Sequence, residues 1–142
     1  NRLINYISQN KFFIVGKGNN LKSICYVENL VDFTIYISKK TVSNIDIFNY
    51  LDYPNYSIRE ICDKISFISN SGKVKNIPYL VAYLGVFVIQ SFYFIISRKA
   101  TINMNRIKKS MSNTSLSYKK LDSLNFKSRY NLNDSIYKTL NR

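Results

Sequence analysis

The sequence predicts a mixed α/β polypeptide, and three observations carry that expectation. Gly16-Lys17-Gly18-Asn19-Asn20 is a run that turns sharply, because glycine and, less readily, asparagine tolerate positive φ. After it the apolar pattern changes period. A short extended stretch reaching Cys25 gives way to a helix, with Val27, Leu30, Val31, Thr34 and Ile35 on one face. Farther on, Ser57-Ile58-Arg59-Glu60 has the form of a capping box, and Ile58, Ile61, Cys62, Ile65 and Ile68 continue it as a helical stripe.

Composition bounds the function. With 142 residues, 46% of them apolar, the chain is long enough to bury a core and is not a disordered tail. It begins at Asn1 without methionine or a signal-peptide pattern, and so reads as a piece of a longer protein. The net charge of +13, from 21 basic against 8 acidic residues, favours anionic partners: nucleotide phosphates, nucleic acid or a lipid surface. Charge alone does not choose among them. Cys25 and Cys62 stand far apart at apolar positions and read as buried free thiols, which suits a reducing, cytoplasmic compartment. The absence of histidine excludes histidine-bearing zinc sites and any Ser-His-Asp or Cys-His arrangement within this chain.

The remaining elements follow in order. Asn1 to Gln9 reads as a short helix with Leu3, Ile4 and Ile7 inward, and Lys11 to Val15 as an apolar segment feeding the glycine turn. Ile45 to Tyr50 is rich in β-formers and predicts a strand, with Leu51 to Asn55 as a turn. Asn70 to Lys73 closes the capped helix, and Val74 to Pro78 predicts a short strand. From Tyr79 to Ile96 no residue is charged, and lysines and arginines flank the run on both sides. Such a run reaches the lower limit for a membrane span; the other reading, favoured here, is a packed or interfacial helix. Asn103 to Ser112 is the densest cationic stretch, and Leu132 to Leu140 predicts a last helix capped by Asn131.

Several of these segments together resemble a known family. Gly16-x-Gly18, Lys22, a short strand and Tyr26-Val27-Glu28-Asn29-Leu30 are similar to the start of the C-terminal lobe of extended short-chain dehydrogenase/reductases, the nucleotide-sugar epimerases and dehydratases of the UDP-glucose 4-epimerase type. The Ser57 helix, the Val74 to Pro78 strand and Ser117 to Phe126 follow in that family's order. The resemblance implies a small α+β substrate-binding lobe, with the Rossmann lobe absent or truncated. It also implies a nucleoside-diphosphate sugar as ligand. Lys22 stands where the family has an arginine that pairs with a phosphate, and Arg106 fits a second diphosphate-binding arginine. Lys108 and Lys109 replace the Gly-Asp pair expected after Arg106, which bears on ribose recognition. Asn1, Arg2 and Leu3 are implied along the nucleotide.

The family's chemistry uses NAD(P), held by Gly-x-x-Gly-x-x-Gly, with Tyr-x-x-x-Lys as catalytic pair. Neither the glycine motif nor its strand and helix occurs here, so no cofactor is expected on this stretch alone and NAD(P) is implied for the full-length family. Tyr36 and Lys40 have the catalytic spacing but follow the Tyr26 helix instead of preceding it, and are rejected as catalytic. The expected partners are the sugar nucleotide, the missing lobe and a second copy of the chain. The alternative function is a basic membrane-surface or membrane-anchored module built on residues 79–96. Nucleic acid ranks last, for want of a recognisable module.

Overall fold

Gly18 explains the first junction. In the computed structural model, which describes residues 2–40, 45–95 and 104–141, Gly18 has φ +79°, and a Cβ there would meet Ile14 Cγ2 at 3.0 Å and Arg59 Cβ at 3.3 Å. Only a residue without a side chain lets the turn lie this close to its neighbours. Its carbonyl accepts from Arg59 N at 3.0 Å, and that of Asn20 accepts from Ile58 N at 3.1 Å. The turn thereby satisfies amides that open a helix and would otherwise lack partners.

Around that junction, helix α1 (Arg2–Ser8) leads to strand β1 (Phe13–Val15), the glycine turn, strand β2 (Leu21–Ile24) and helix α2 (Val27–Ser38). Strand β3 (Asp52–Ser57) runs directly into helix α3 (Ile58–Ile68), followed by strand β4 (Lys75–Ile77) and helix α4 (Tyr79–Ile95). Helices α5 (Met104–Met111), α6 (Lys119–Asp122) and α7 (Leu132–Leu140) complete the described residues. The result is mixed α/β, as expected, with its strands in two pairs. β1 and β4 are parallel, Ile14 facing Asn76, and β2 and β3 are antiparallel.

Both predicted helix caps are present. Ser57 Oγ accepts from Glu60 N at 3.1 Å while the Glu60 carboxylate accepts from Ser57 N at 2.7 Å. Asn131 and Asp134 make the same reciprocal pair at the start of α7. The stripe on α3 is buried as its spacing requires: Ile61, Cys62 and Ile65 meet Ile4 and Ile7 of α1, Ile14 of β1, and Leu132 and Ile136 of α7 in one core.

A second core is aromatic, and here the structure departs from expectation. Residues 45–50 do not form a strand; the strand is Asp52–Ser57, where a turn was expected. Phe48 and Tyr50 instead pack on Phe33 of α2, with ring centroids 5.9 and 4.8 Å apart. Their β-forming character reflects aromatic burial. Pro54 was a turn signal, yet it sits within β3 where the register to β2 is irregular, a place where a missing N–H is tolerated. Beyond the strand pairs, Thr114 forms an isolated parallel bridge with Lys22.

The face of α2 also differs. Val27, Leu30, Val31 and Ile35 are exposed, at 53, 39, 51 and 49%, and the buried face carries Asn29 and Phe33. Asn29 decides this orientation. Fully buried, it donates from Nδ2 to Asp52 Oδ1 at 3.0 Å and to Tyr130 O at 2.8 Å, and its Oδ1 accepts from Tyr130 N at 3.0 Å. Asp52, also buried, accepts from Tyr26 N at 2.6 Å and from the Tyr50 hydroxyl at 3.0 Å. Turning the apolar stripe inward would break the three bonds that Asn29 makes.

Replacing Asn29 by alanine leaves the Tyr130 backbone and one Asp52 oxygen short of partners inside the protein. The Asn29→Ala chain is expected to lose about 3 kcal/mol in urea unfolding, more than truncation of an exposed stripe residue such as Val31.

Candidate functional site

Lys22 lies on β2, and the structure ties it to α5. Its ammonium donates to Ser112 O at 2.7 Å and reaches Lys109 O at 3.5 Å. Both carbonyls belong to the end of α5, where unpaired carbonyls and the helix dipole favour a cation. The same edge is stitched by Leu21 N donating to Asn113 Oδ1 at 2.8 Å, Asn20 Nδ2 donating to Ser110 O at 2.9 Å, and Thr114 N donating to Leu21 O at 2.9 Å. Residues some ninety positions apart are thus held side by side. Lys22 has a structural role that sequence reading did not foresee, since only a folded chain brings α5 to it.

Arg106 is on α5, exposed, next to Ile107, the buried residue that anchors this helix. β2 and α5 therefore bring the two expected phosphate-binding cations onto adjoining elements. Arg2 and Leu3 stand on a third element, α1. Asn1 lies outside the described residues; Arg2 is exposed at the start of α1, and Leu3 packs against the first core. Leu3 also walls a largely apolar cavity of about 190 Å³, together with Ile24, Cys25, Tyr26, Asp52 and Ser135. This cavity begins at Ile24, two residues along β2 from Lys22.

Cys25 is exposed, against expectation, whereas Cys62 is buried. β2 ends at Ile24, so strand alternation no longer directs Cys25 inward. Its thiol is nonetheless pushed up to about 11, by partial burial first and by the nearby Asp52 carboxylate second. Burial pushes the Cys62 thiol up to about 12. Neither is a thiolate near neutrality, so neither serves as a nucleophile there. Burial first, with Asp52 contributing, also raises the Tyr50 hydroxyl above its ordinary range, consistent with a structural donor.

The glycine turn does not fit a dinucleotide. Such a cradle needs free amides at a helix N-terminus. Here the opening amides of α3, on Ile58 and Arg59, are spent on the turn's own carbonyls. Among the described residues no cluster of acidic or cysteine side chains is arranged to hold a metal.

One feature escaped the sequence reading. Lys17, Arg59, Lys73 and Lys75 line an open groove of about 530 Å³, with Val74 and Asn76 between them. Lys73 and Lys75 are near neighbours in sequence, and the β1–β4 pairing and the docking of the turn on α3 bring Lys17 and Arg59 to them.

Comparison with known proteins places the chain as a relative of a sugar epimerase. That relative is the N-acetyl-alpha-D-glucosaminyl-diphospho-ditrans,octacis-undecaprenol 4-epimerase of Escherichia coli O157:H7, 29% identical over 140 residues. The similarity runs along 97% of this chain and spans 42% of the relative's length. No family model and no solved structure matches the chain.

Removing the Lys22 charge uncaps α5. Lys22→Met is expected to destabilise by about 1 kcal/mol and to speed amide hydrogen exchange in α5 while leaving α7 unchanged. The thiols predict a pH dependence of the opposite kind to acid unfolding. From an ordinary value of 9.0, the unfolded chain loses its thiol protons before the folded chain does, because folded Cys25 and Cys62 hold theirs to about 11 and about 12. This contribution is fully present below pH 9.0 and falls as pH rises through that window. Urea midpoints of a Cys25→Ser, Cys62→Ala chain should therefore fall less between pH 9 and 11 than those of the parent.

Proposed function

We propose that this chain is the substrate-binding part of an epimerase whose sugar is joined to its carrier through a diphosphate. The observation that carries the reading is the junction of β2 with α5, which sets Lys22 and Arg106 on neighbouring elements, in a chain related to an epimerase along nearly its whole length. In this reading the two cations neutralise the diphosphate, and Asn1, Arg2 and Leu3 wall the group beyond it. Lysine supplies charge without the paired donors of arginine, so Lys22 acts as a point charge while also closing α5.

The carrier follows from two sources. The resemblance implies a nucleoside, whereas the relative's name contains undecaprenol; the diphosphate is common to both. The chain spans less than half of the relative's length, and in this reading hydride chemistry with NAD(P) belongs to a further lobe of a longer protein. The exposed stripe of Val27, Leu30, Val31 and Ile35 on α2 is the apolar surface on which such a lobe would rest. Alone, the chain binds and does not catalyse; in the longer protein it works in the cytoplasm, with a second copy as a candidate partner.

A second reading, a module held at a membrane surface, is favoured by the exposure of α4, where Leu80, Phe87 and Phe92 are 66, 58 and 59% accessible. Among the described residues no helix is long and apolar enough to cross a membrane.

Titration of the isotopically labelled chain with UDP-N-acetylglucosamine, and separately with a short-chain polyprenyl-diphospho-N-acetylglucosamine, tests the first reading. Saturable shifts at β2 and α5 are expected for at least one ligand, with affinity lowered about tenfold by Arg106→Ala. Shifts elsewhere only, or none with either ligand, overturn it.

A further inference from the structure

Helix α4 is apolar on nearly every side. Leu80, Val81, Leu84, Phe87, Val88 and Phe92 are each more than half exposed. Only Ala82, Val86, Gln90 and Tyr93 turn toward the protein, a narrow stripe at helical spacing. A helix that meets a protein partner through one face normally keeps a polar face for water. Apart from Gln90, Ser91 and its tyrosines, α4 has no polar side chain to offer. A single flat partner would leave most of its circumference wet, whereas lipid chains fill around a helix from several directions.

The sequence on either side of this helix is cationic. No carboxylate occurs between Asp63 and Asp122, a span that carries ten lysines and arginines. The groove of Lys17, Arg59, Lys73 and Lys75 stands at the foot of α4, because β4 ends only two residues before the helix begins. Asp63, 3.6 Å from Arg59, is the acid that offsets part of this charge. Along the helix, α5 packs against α4 and exposes Arg106, Lys108 and Lys109. An apolar rod beside a cationic groove matches a surface whose interior is hydrocarbon and whose rim is phosphate.

We propose that α4 lies in the surface of an anionic phospholipid bilayer, its exposed arc among the acyl chains and lipid phosphates in the groove of Lys17, Arg59, Lys73 and Lys75. Its described residues, Tyr79–Ile95, are not long and apolar enough to cross a membrane, and the proposal sets them in the plane of the surface. This inference rests on the membrane-surface reading, to which it adds the lipid class and the footprint. It does not require the epimerase reading.

The chain contains no tryptophan, so a single introduced one reports its own surroundings. Phe92→Trp on α4 and Tyr137→Trp, equally exposed on α7, would each be mixed with vesicles of phosphatidylglycerol and phosphatidylcholine. The Phe92→Trp emission is expected to shift to shorter wavelength and to be quenched by lipids brominated on their acyl chains; that of Tyr137→Trp is expected to do neither. Pure phosphatidylcholine, added salt, or Lys73→Gln with Lys75→Gln should each weaken binding about tenfold or more. A shift that appears without lipid and grows with protein concentration would show that a second copy covers α4, and would overturn the proposal. So would the absence of any vesicle-dependent shift, or binding indifferent to lipid charge and to both lysines. Titration of the same variants with the soluble diphospho-sugars separates these outcomes from a failure of the epimerase reading.

Discussion

The pairing of Asn29 with Asp52 is the contact on which the rest of this structure depends. A carboxylate out of reach of water is tolerated only when donors surround it. Here the Tyr26 amide, the Asn29 side chain and the Tyr50 hydroxyl supply them. Those donors come from the entrance of α2, its first turn and the approach to β3. Asn29 then uses its remaining groups on both backbone atoms of Tyr130, immediately before the cap of α7. One polar cluster therefore fixes how α2, β3 and α7 meet, and the two apolar cores form on either side of it.

That arrangement also explains the candidate site. β2 is held against β3 and the glycine turn is held against α3, which leaves the outer edge of β2 for the segment from α5 to Thr114. Lys22 faces that edge. Its hydrogen bonds to the end of α5 make the cation part of the joint, so its charge is already fixed in place. Preorganisation of this kind lowers the ordering cost of binding an anion.

What the sequence made legible was local. The capping box at Ser57, the cap at Asn131, the α3 stripe and the positive-φ glycine turn rest on residues within one or two turns of each other, and all are found as expected. What it hid was long-range. The α2 helix was recognisable, but its apolar stripe pointed to the wrong face, because the competing claim of Asn29 depends on partners 23 and 101 residues away. The aromatic run before β3 looked like a strand because burial against Phe33 selects the same residue types as a sheet does. The cationic groove, likewise, is assembled from separate segments and has no linear signature. The Cys25 error has a smaller cause: β2 stops one residue before the alternation would have mattered.

Asn29 reaches Tyr130 across most of the chain, and this has a consequence for synthesis on the ribosome. Helix α4 emerges well before the residues that close the central cluster, so for part of each translation cycle the nascent chain displays its greasiest segment without the tie that orders its N-terminal half. Until Tyr130 leaves the exit tunnel, α2 has only Asp52 to hold its asparagine inward, and its own apolar stripe is freer to seek other company. The order in which this chain is made thus exposes it to early capture, by a chaperone or by whatever surface α4 meets first.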